Sequence, residues 1–513
     1  MAHTDVRDGI IGRGASFASP FGSRRMVYCD WTASSRAHRM VEEVIARDVL
    51  PLYGNTHDTH SICGRQSTCF REEARQIVAQ STNAKVATGD NEGGSSKDVV
   101  IFTGAGATGA SNALVHILGV KERASAGGAV VLVGPFEHHS NIIPWRESGA
   151  RIVRIAEAKD GRVDRVDLER ALREARDAAV PLVIGAFCAA SNVTGVLSDV
   201  DAITALLHAH GALAVWDYAT AGPYVPIDMN PARGDGRFAK DAVFFSPHKF
   251  LGGVNSPGVL VMKKSLCRNA VPRQPGGGTV FFVTEHAHRF LSNRMEREEG
   301  GTPDIVGTVR AGLAMHLLRS ADPRGELRAE ELAITERVYA RLRATPSLVI
   351  LGPSPTRVAR LPIFSFLVRV GGGASDVYLH HNFVTRILND VFGIQARGGC
   401  ACAGPYAQSL LGMTRPDPHA AVASMGEEHA TTAKFTDAFE AALLAKNELL
   451  RPGFTRLSLP WLLSDVEVRG VVVFWLVCFF VVVCSFSSST FGTFASSFAS
   501  SFAHFCFHPS SSP

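Results

Sequence analysis

Between residues 98 and 265, short apolar runs alternate with segments whose apolar residues recur at helical spacing. The runs DVVIFTG, AVVLVGP, PLVIGAFC, ALAVWD, AVFFSP and GVLVMKK each place several apolar, often branched, residues in succession. A strand covered on both faces has no polar side to alternate with, so unbroken runs of this kind predict buried strands. The intervening segments supply the crossovers. Asp164 to Ala178 and Ser198 to His210 carry helical periodicity, and Ser198 followed by Asp201 predicts a capping box for the second. Strands alternating with helices predict an α/β fold with a large, mostly parallel sheet, whose ligands bind beyond the carboxyl ends of its strands. Residues with chemistry are therefore expected directly after strands.

From about residue 306 the pattern changes to longer helices, such as Glu326 to Ala344, then the strand-like PIFSFLVRV and a helix near Val377 to Val391. This predicts a smaller α+β C-terminal domain over 306–469, after a large domain over 40–305, with residues 1–39 packing on the small domain. GDNEGGSSK and NPARGDGR read as surface loops, and Thr414 to Thr432 as an insertion. Residues 470–513 differ in kind. They hold no Asp, Glu, Lys or Arg; Val471 to Phe486 is almost wholly apolar, and a Phe/Ser-rich low-complexity stretch follows. About 17 apolar residues is the lower limit for a spanning helix. A membrane contact, an adhesive tail and a gene-model artefact all stay open for this segment.

Composition narrows the class. A chain of 513 residues with 46% hydrophobic and 19% charged residues can bury a large core and is not a disordered polymer. A net charge of +4, from 52 Lys+Arg against 48 Asp+Glu and without a long basic run, argues against nucleic acid as a partner. Ten cysteines without a paired framework suit a reducing compartment. The start Met1-Ala2-His3-Thr4-Asp5 lacks the apolar stretch of a secretory signal, and Asp5 and Asp8 run against a mitochondrial presequence. The expected location is cytoplasmic, with mitochondrial or membrane-associated (through 471–486) as alternatives.

Four segments carry candidate chemistry. Thr103-Gly104-Ala105-Gly106-Ala107-Thr108-Gly109 follows a strand and opens a helix, where close backbone approach and the helix dipole favour a phosphate. It also matches GxGxxG, so a dinucleotide oxidoreductase using Gly104, Gly106 and Gly109 is an alternative. AVVLVGP ends without the acidic residue that a dinucleotide ribose needs, which favours a small phosphorylated cofactor. Glu137-His138-His139-Ser140-Asn141 follows the next strand, and a histidine there can stack on an aromatic ring or move protons. HExxH and CxxC spacings are absent, so no metal site is read. Asp217 ends an apolar strand and needs a cationic partner to be buried there. Ser246-Pro247-His248-Lys249 follows another strand, and a lysine with a depressed pKa can condense with an aldehyde.

In this order the four segments resemble the class V aminotransferases, the fold-type-I pyridoxal-phosphate enzymes that include the cysteine desulfurases, over roughly Tyr28 to Glu467. The resemblance implies that Lys249 forms the Schiff base with pyridoxal 5'-phosphate, that Asp217 pairs with its ring nitrogen and that His138 stacks on the ring. Asn192, in Ser191-Asn192-Val193-Thr194-Gly195, resembles the asparagine at the ring hydroxyl, and Ala107, Thr108, Ser246 and His248 resemble the phosphate contacts. Glu299-Gly300-Gly301-Thr302-Pro303 is similar to a segment whose threonine reaches the phosphate of a neighbouring subunit, which implies a homodimer. Arg397-Gly398-Gly399-Cys400-Ala401-Cys402-Ala403-Gly404-Pro405 resembles the RxGxxCxxP loop of one desulfurase branch, with Cys402 as sulfur acceptor. Arg397, Arg456 and Asn55 are the implied substrate contacts.

Some positions depart from the family pattern. Thr220 replaces the usual glutamine three residues after the acid, and Tyr218 replaces a small residue, expected to change the space on one cofactor face. Tyr28-Cys29-Asp30-Trp31-Thr32-Ala33 is loosely similar to the family's N-terminal segment. Cys400 adds a second thiol, and the sequence leaves open which one reacts. The function implied is cysteine to alanine with an enzyme-bound persulfide, passed to a possible acceptor protein. A transaminase, lyase or epimerase of the same fold and a membrane-tethered scaffold are the other readings.

Overall fold

A seven-stranded sheet forms the centre of the computed structural model, which describes residues 3–56, 60–87, 96–370, 377–413, 440–441 and 443–471. Its strands are β1 (Asp98–Thr103), β2 (Ala129–Val133), β3 (Arg151–Arg154), β4 (Leu182–Cys188), β5 (Leu213–Asp217), β6 (Ala242–Phe245) and β7 (Gly258–Lys263). They lie in the order β1-β7-β6-β5-β4-β2-β3. Six of them are the six apolar runs. β3 escapes the sequence pattern because it is a short edge strand, Arg-Ile-Val-Arg, with both arginines exposed.

The sheet is parallel from β6 to β3, while β7 is antiparallel to both β1 and β6. The unbroken apolar runs have a direct cause. Val99 and Ile101 pack into one core layer while Val100 and Phe102 pack into the other, and Val131 against Val130 and Leu260 against Val259 divide in the same way. Both faces are covered, so neither position in the two-residue period is polar.

Helices α1 (Ile62–Ser81), α2 (Gly106–Ile117), α3 (Arg165–Asp177) and α4 (Val200–Ala209) belong to this layer. Asp164 caps α3 by accepting from the Val166 and Asp167 amides. The capping box expected at Ser198 is not formed. Asp199 caps α4 through the Ala202 amide, Ser198 Oγ donates to the Cys188 carbonyl, and Asp201 takes Lys240 Nζ at 2.8 Å. The nearly full burial of Lys240 is what recruits Asp201 away from the helix end.

The second sheet has four antiparallel strands, β8 (Leu348–Ile350), β9 (Ile363–Val368), β10 (Arg397–Gly399) and β11 (Phe454–Ser458), in the order β8-β9-β11-β10. α5 (Ile305–Ala321) lies along α1, α6 (Leu327–Arg343) leads into β8, and α7 (His381–Phe392) packs on β10 and β11. α8 (Gly404–Leu410) follows β10. The N-terminal segment joins the two sheets. Val27–Tyr28 pairs in parallel with Ile394–Gln395, Ser458 N donates to Cys29 O at 2.8 Å, and Ser35 N donates to His248 O at 2.9 Å.

Residues 465–471 are helical, with Val468 and Val471 buried, so the core continues past Arg469. Among the described residues no helix is long and apolar enough to cross a membrane. The expected insertion at Thr414 to Thr432, residues 89–95 of the GDNEGGSSK loop and the tail from 472 onward lie outside the described residues.

Candidate active site

β1 ends at Thr103, and the turn Gly104-Ala105-Gly106 delivers the chain into α2. Gly106 has φ +55°, and a Cβ there would meet Ser246 Oγ at 2.8 Å; a Cβ on Gly258 would lie 1.9 Å from the Gly106 carbonyl. Both positions need glycine, because Ser246 crowds Gly106 in its left-handed conformation and β7 brings Gly258 directly against the Gly106 carbonyl. Ala107 N donates to Ser246 Oγ at 2.8 Å, Thr108 Oγ1 sits 2.7 Å from Ser140 Oγ, and His248 Nδ1 sits 3.1 Å from Ser34 Oγ. Amides at the N-terminus of a 12-residue helix, four hydroxyls and an imidazole gather here, a donor set that suits an anion. The dinucleotide alternative fails on topology, because among the described residues β1 pairs only with the antiparallel β7 and no parallel βαβ unit stands beside the turn.

These groups line a cavity of about 610 Å³ that also receives Lys249, Asp217, His138, Asn192, Thr220, Arg397, Cys402 and Arg456. Lys249 closes a single turn after β6, Pro247–Lys249, begun by a proline whose fixed φ suits that position. Burial pushes its amine down to about 8, with Arg456 and Arg397 adding to the effect and Asp217 opposing it. Asp217, the last residue of β5, is itself raised by burial, while the Ala219 amide at 2.7 Å and Lys249 pull it back. The His138 ring is pushed down to about 3 by burial and then by Lys249, and it stays neutral at ordinary pH. Its Nδ1 accepts from Ser140 N at 3.1 Å, which places the remaining proton on Nε2. His248 is likewise neutral, pushed down to about 4 by burial and Lys249.

The far wall comes from the second sheet and the N-terminal segment. Arg456 on β11 is buried; its Nη1 donates to Asn192 O and its Nη2 to Asp30 Oδ1, both at 2.9 Å. Arg397 Nε donates to the other oxygen of Asp30 at 3.0 Å. One carboxylate thus spans two guanidinium groups. Asn192 Nδ2 donates to Ala401 O at 2.7 Å, leaving its Oδ1 buried without a hydrogen-bond partner among the described residues. Cys400 and Cys402 are both free thiols, yet only Cys402 lines the cavity.

Twelve of the residues singled out in sequence meet in this one cavity: Ala107, Thr108, His138, Asn192, Asp217, Thr220, Ser246, His248, Lys249, Arg397, Cys402 and Arg456. Thr302 and Asn55 do not. They lie exposed outside it, with Asn55 Nδ2 donating to Thr302 Oγ1 at 3.2 Å. Tyr218 corrects an expectation. Its side chain turns away from this cavity, because alternate residues at the end of β5 face opposite sides, and it lines a separate polar cavity beside Asp201, Asp228 and Lys240. The space next to Asp217 is set instead by Ala219 and Thr220. Asp30, Thr32 to Ser34, Ser140 and Asn255-Ser256 also line the cavity or brace its wall, although the sequence assigns none of them an individual role. Ser140 was legible from its place two residues after His138, whereas Asp30 reaches the site only through the pairing of Val27–Tyr28 with Ile394–Gln395.

Comparison with known proteins agrees with this geometry. The family model described as Aminotransferase class-V matches residues 27–427. A probable cysteine desulfurase from Streptomyces coelicolor is 28% identical over 388 residues, covering 74% of this chain and 84% of that protein. One from Halalkalibacterium halodurans is 29% identical over 390 residues, covering 75% and 86%. Among solved structures, the apo cysteine desulfurase from Thermococcus onnurineus NA1 superposes with TM-score 0.68 at 22% identity, covering 93% of this chain and 97% of that one. A cysteine desulfurase from Escherichia coli gives TM-score 0.64 at 20% identity, covering 92% and 97%. The structural likeness establishes the fold, and the family match takes in the whole first sheet and every residue of the cavity lining before Arg456, which lies beyond it on β11. The chain belongs to the class V aminotransferase family.

Proposed function

We propose that this protein is a pyridoxal-phosphate-dependent cysteine desulfurase, converting L-cysteine to L-alanine and leaving the sulfur on Cys402 as a persulfide. The observation that carries the reading is a single cavity in which a lysine of depressed pKa lies between an anion site and a buried carboxylate, with a free thiol on the wall beside two arginines. The donor set fits the cofactor. The α2 turn with Thr108, Ser246 and His248 would hold the phosphate, Asp217 the protonated ring nitrogen, and the unpartnered Asn192 Oδ1 and Thr220 the polar edge of the ring. The neutral His138 would lie against the ring face. When bound, pyridoxal phosphate supplies an electron sink for the substrate's Cα.

The remaining work falls to the protein. Arg456, with Arg397, would bind the substrate carboxylate and orient the Cβ–S bond toward Cys402. Lys249, neutral above about pH 8, would take and return protons at the substrate's carbon atoms. The Cys402 thiolate would attack the substrate sulfur. A sulfur–sulfur bond forms, the substrate carbon–sulfur bond breaks with its electron pair staying on the carbon side, and one proton completes alanine. Atoms and electrons balance as cysteine plus enzyme thiol giving alanine plus enzyme persulfide, and a thiol acceptor then removes the sulfur.

A homodimer fits the exposed placement of Thr302 and Asn55, which would face the cavity of a partner subunit. Exposed Leu50, Leu52, Tyr53 and Ile62 on the same segment as Asn55 favour a covered surface. The purified protein should be yellow and should release sulfide from cysteine when a dithiol is present. Lys249→Ala should abolish colour and activity together, and Cys402→Ser should abolish sulfide release while keeping the colour. A Cys402→Ser variant as active as the native protein would point to a transaminase or lyase instead.

A further inference from the structure

The backbone of Ala401 and Cys402 is unusual. Both are in the left-handed region, with φ +52° and +55°, although neither is glycine. Two consecutive L-residues hold that conformation only where surrounding contacts over-determine it. The contacts are specific. Asn192 Nδ2 donates to Ala401 O at 2.7 Å, His139 N donates to Cys402 O at 2.8 Å, and Gly404 N donates to His139 Nε2 at 2.9 Å. Gly404 opens α8, whose N-cap residue Ala403 has no side chain able to accept from the first amides. The acceptor comes instead from the ring of a residue 265 positions earlier in the chain.

We propose that His139 is the positioning residue for the Cys402 thiol, its neutral imidazole holding the loop so that the sulfur faces the cavity. This rests on Cys402 being the sulfur acceptor. His138 and His139 then form a two-sided fixture at the end of β2: one ring lines the cofactor side of the cavity and the next secures the loop of the attacking thiol. The backbone amide of His139 would contact Cys402 O whatever its side chain. Only an acceptor at the Nε2 position secures Gly404, so the side chain has a consequence that can be isolated.

The test uses the cofactor-loaded enzyme with His139→Leu, which removes the acceptor, and His139→Gln, which returns an oxygen near the Nε2 position. His139→Leu should lower kcat for sulfide release roughly 10- to 100-fold, the scale of about 1 Å of misplacement, with KM for cysteine and the cofactor spectrum little changed. His139→Gln should stay within about threefold of the native enzyme. In a Cys400→Ser background, alkylation of Cys402 by iodoacetamide should change rate several-fold for leucine and not for glutamine. Native kcat and alkylation in His139→Leu, or equal losses in both variants, would overturn the proposal. If His139→Leu does not fold, the glutamine variant decides: native behaviour supports the acceptor role, and impairment rejects it. Cys402→Ser runs in parallel. Sulfide release by that variant would defeat the desulfurase reading itself, whereas an inactive Cys402→Ser beside an unaffected His139→Leu would defeat this inference alone.

Discussion

Lys249 owes its amine pKa of about 8 to burial first and to the arginines second, with Asp217 pulling the other way. The ordinary value is 10.5, so between about 8 and 10.5 this lysine is neutral while surface lysines remain charged. In the cofactor-free protein, acylation of Lys249 followed by mass spectrometry should rise with pH around a midpoint near 8, well below that of surface lysines. Asp217→Asn removes the charge that favours the ammonium form, so the midpoint should fall. Arg456→Gln removes a repelling cation and should raise it. Shifts in the opposite senses would mean that Lys249 does not share a cavity with these groups. Thr220 and Ala219, rather than Tyr218, set the space beside Asp217, because the pleat at the end of β5 sends Tyr218 to the other side.

The elements are held by polar groups as well as by their apolar faces. Glu299, which opens the Gly300-Gly301-Thr302-Pro303 stretch, is almost fully buried and accepts from Phe102 N at 2.7 Å and Arg75 Nη1 at 2.8 Å; Arg71 also donates to it. This one carboxylate ties α1 and β1 to the segment preceding α5, and with them the first strand of the anion turn. Breaking a buried pair by removing one partner leaves an uncompensated charge, costing about 3–5 kcal/mol. Glu299→Ala should destabilise by that amount in urea unfolding followed by circular dichroism. A loss of a few tenths of a kcal/mol would show that the cluster is solvated.

At the scale of the whole molecule, the cavity lies where two sheets and the N-terminal segment meet. The first sheet presents the carboxyl ends of β1, β2, β4, β5 and β6, and the second presents Arg397 on β10 and Arg456 on β11. Arg456 bridges them directly through Asn192 O and Asp30. The apolar core shared by the two sheets also takes in Val468 and Val471 from the helical residues 465–471. Val471→Ala should therefore cost about 1.6 kcal/mol, two carbon groups at about 0.8 kcal/mol each, in equilibrium unfolding. No measurable change would place Val471 outside the fold.

The large sheet and the order of its chemistry are legible in the chain without any knowledge of the fold. Apolar runs of doubly covered strands need no tertiary information to be seen, and the glycine turn, His138, Asp217 and Lys249 all follow such strands directly. β3 was hidden because an exposed edge strand has little apolar signal, and the cap of α4 moved to Asp199 because the buried Lys240 claimed Asp201. The packing of distant segments settles the rest: that Asp30 spans Arg397 and Arg456, and that Cys402 and not Cys400 faces the cavity. These are relations between residues up to 426 positions apart, or choices of side fixed by local backbone geometry. Hydrophobic periodicity carries no information about either.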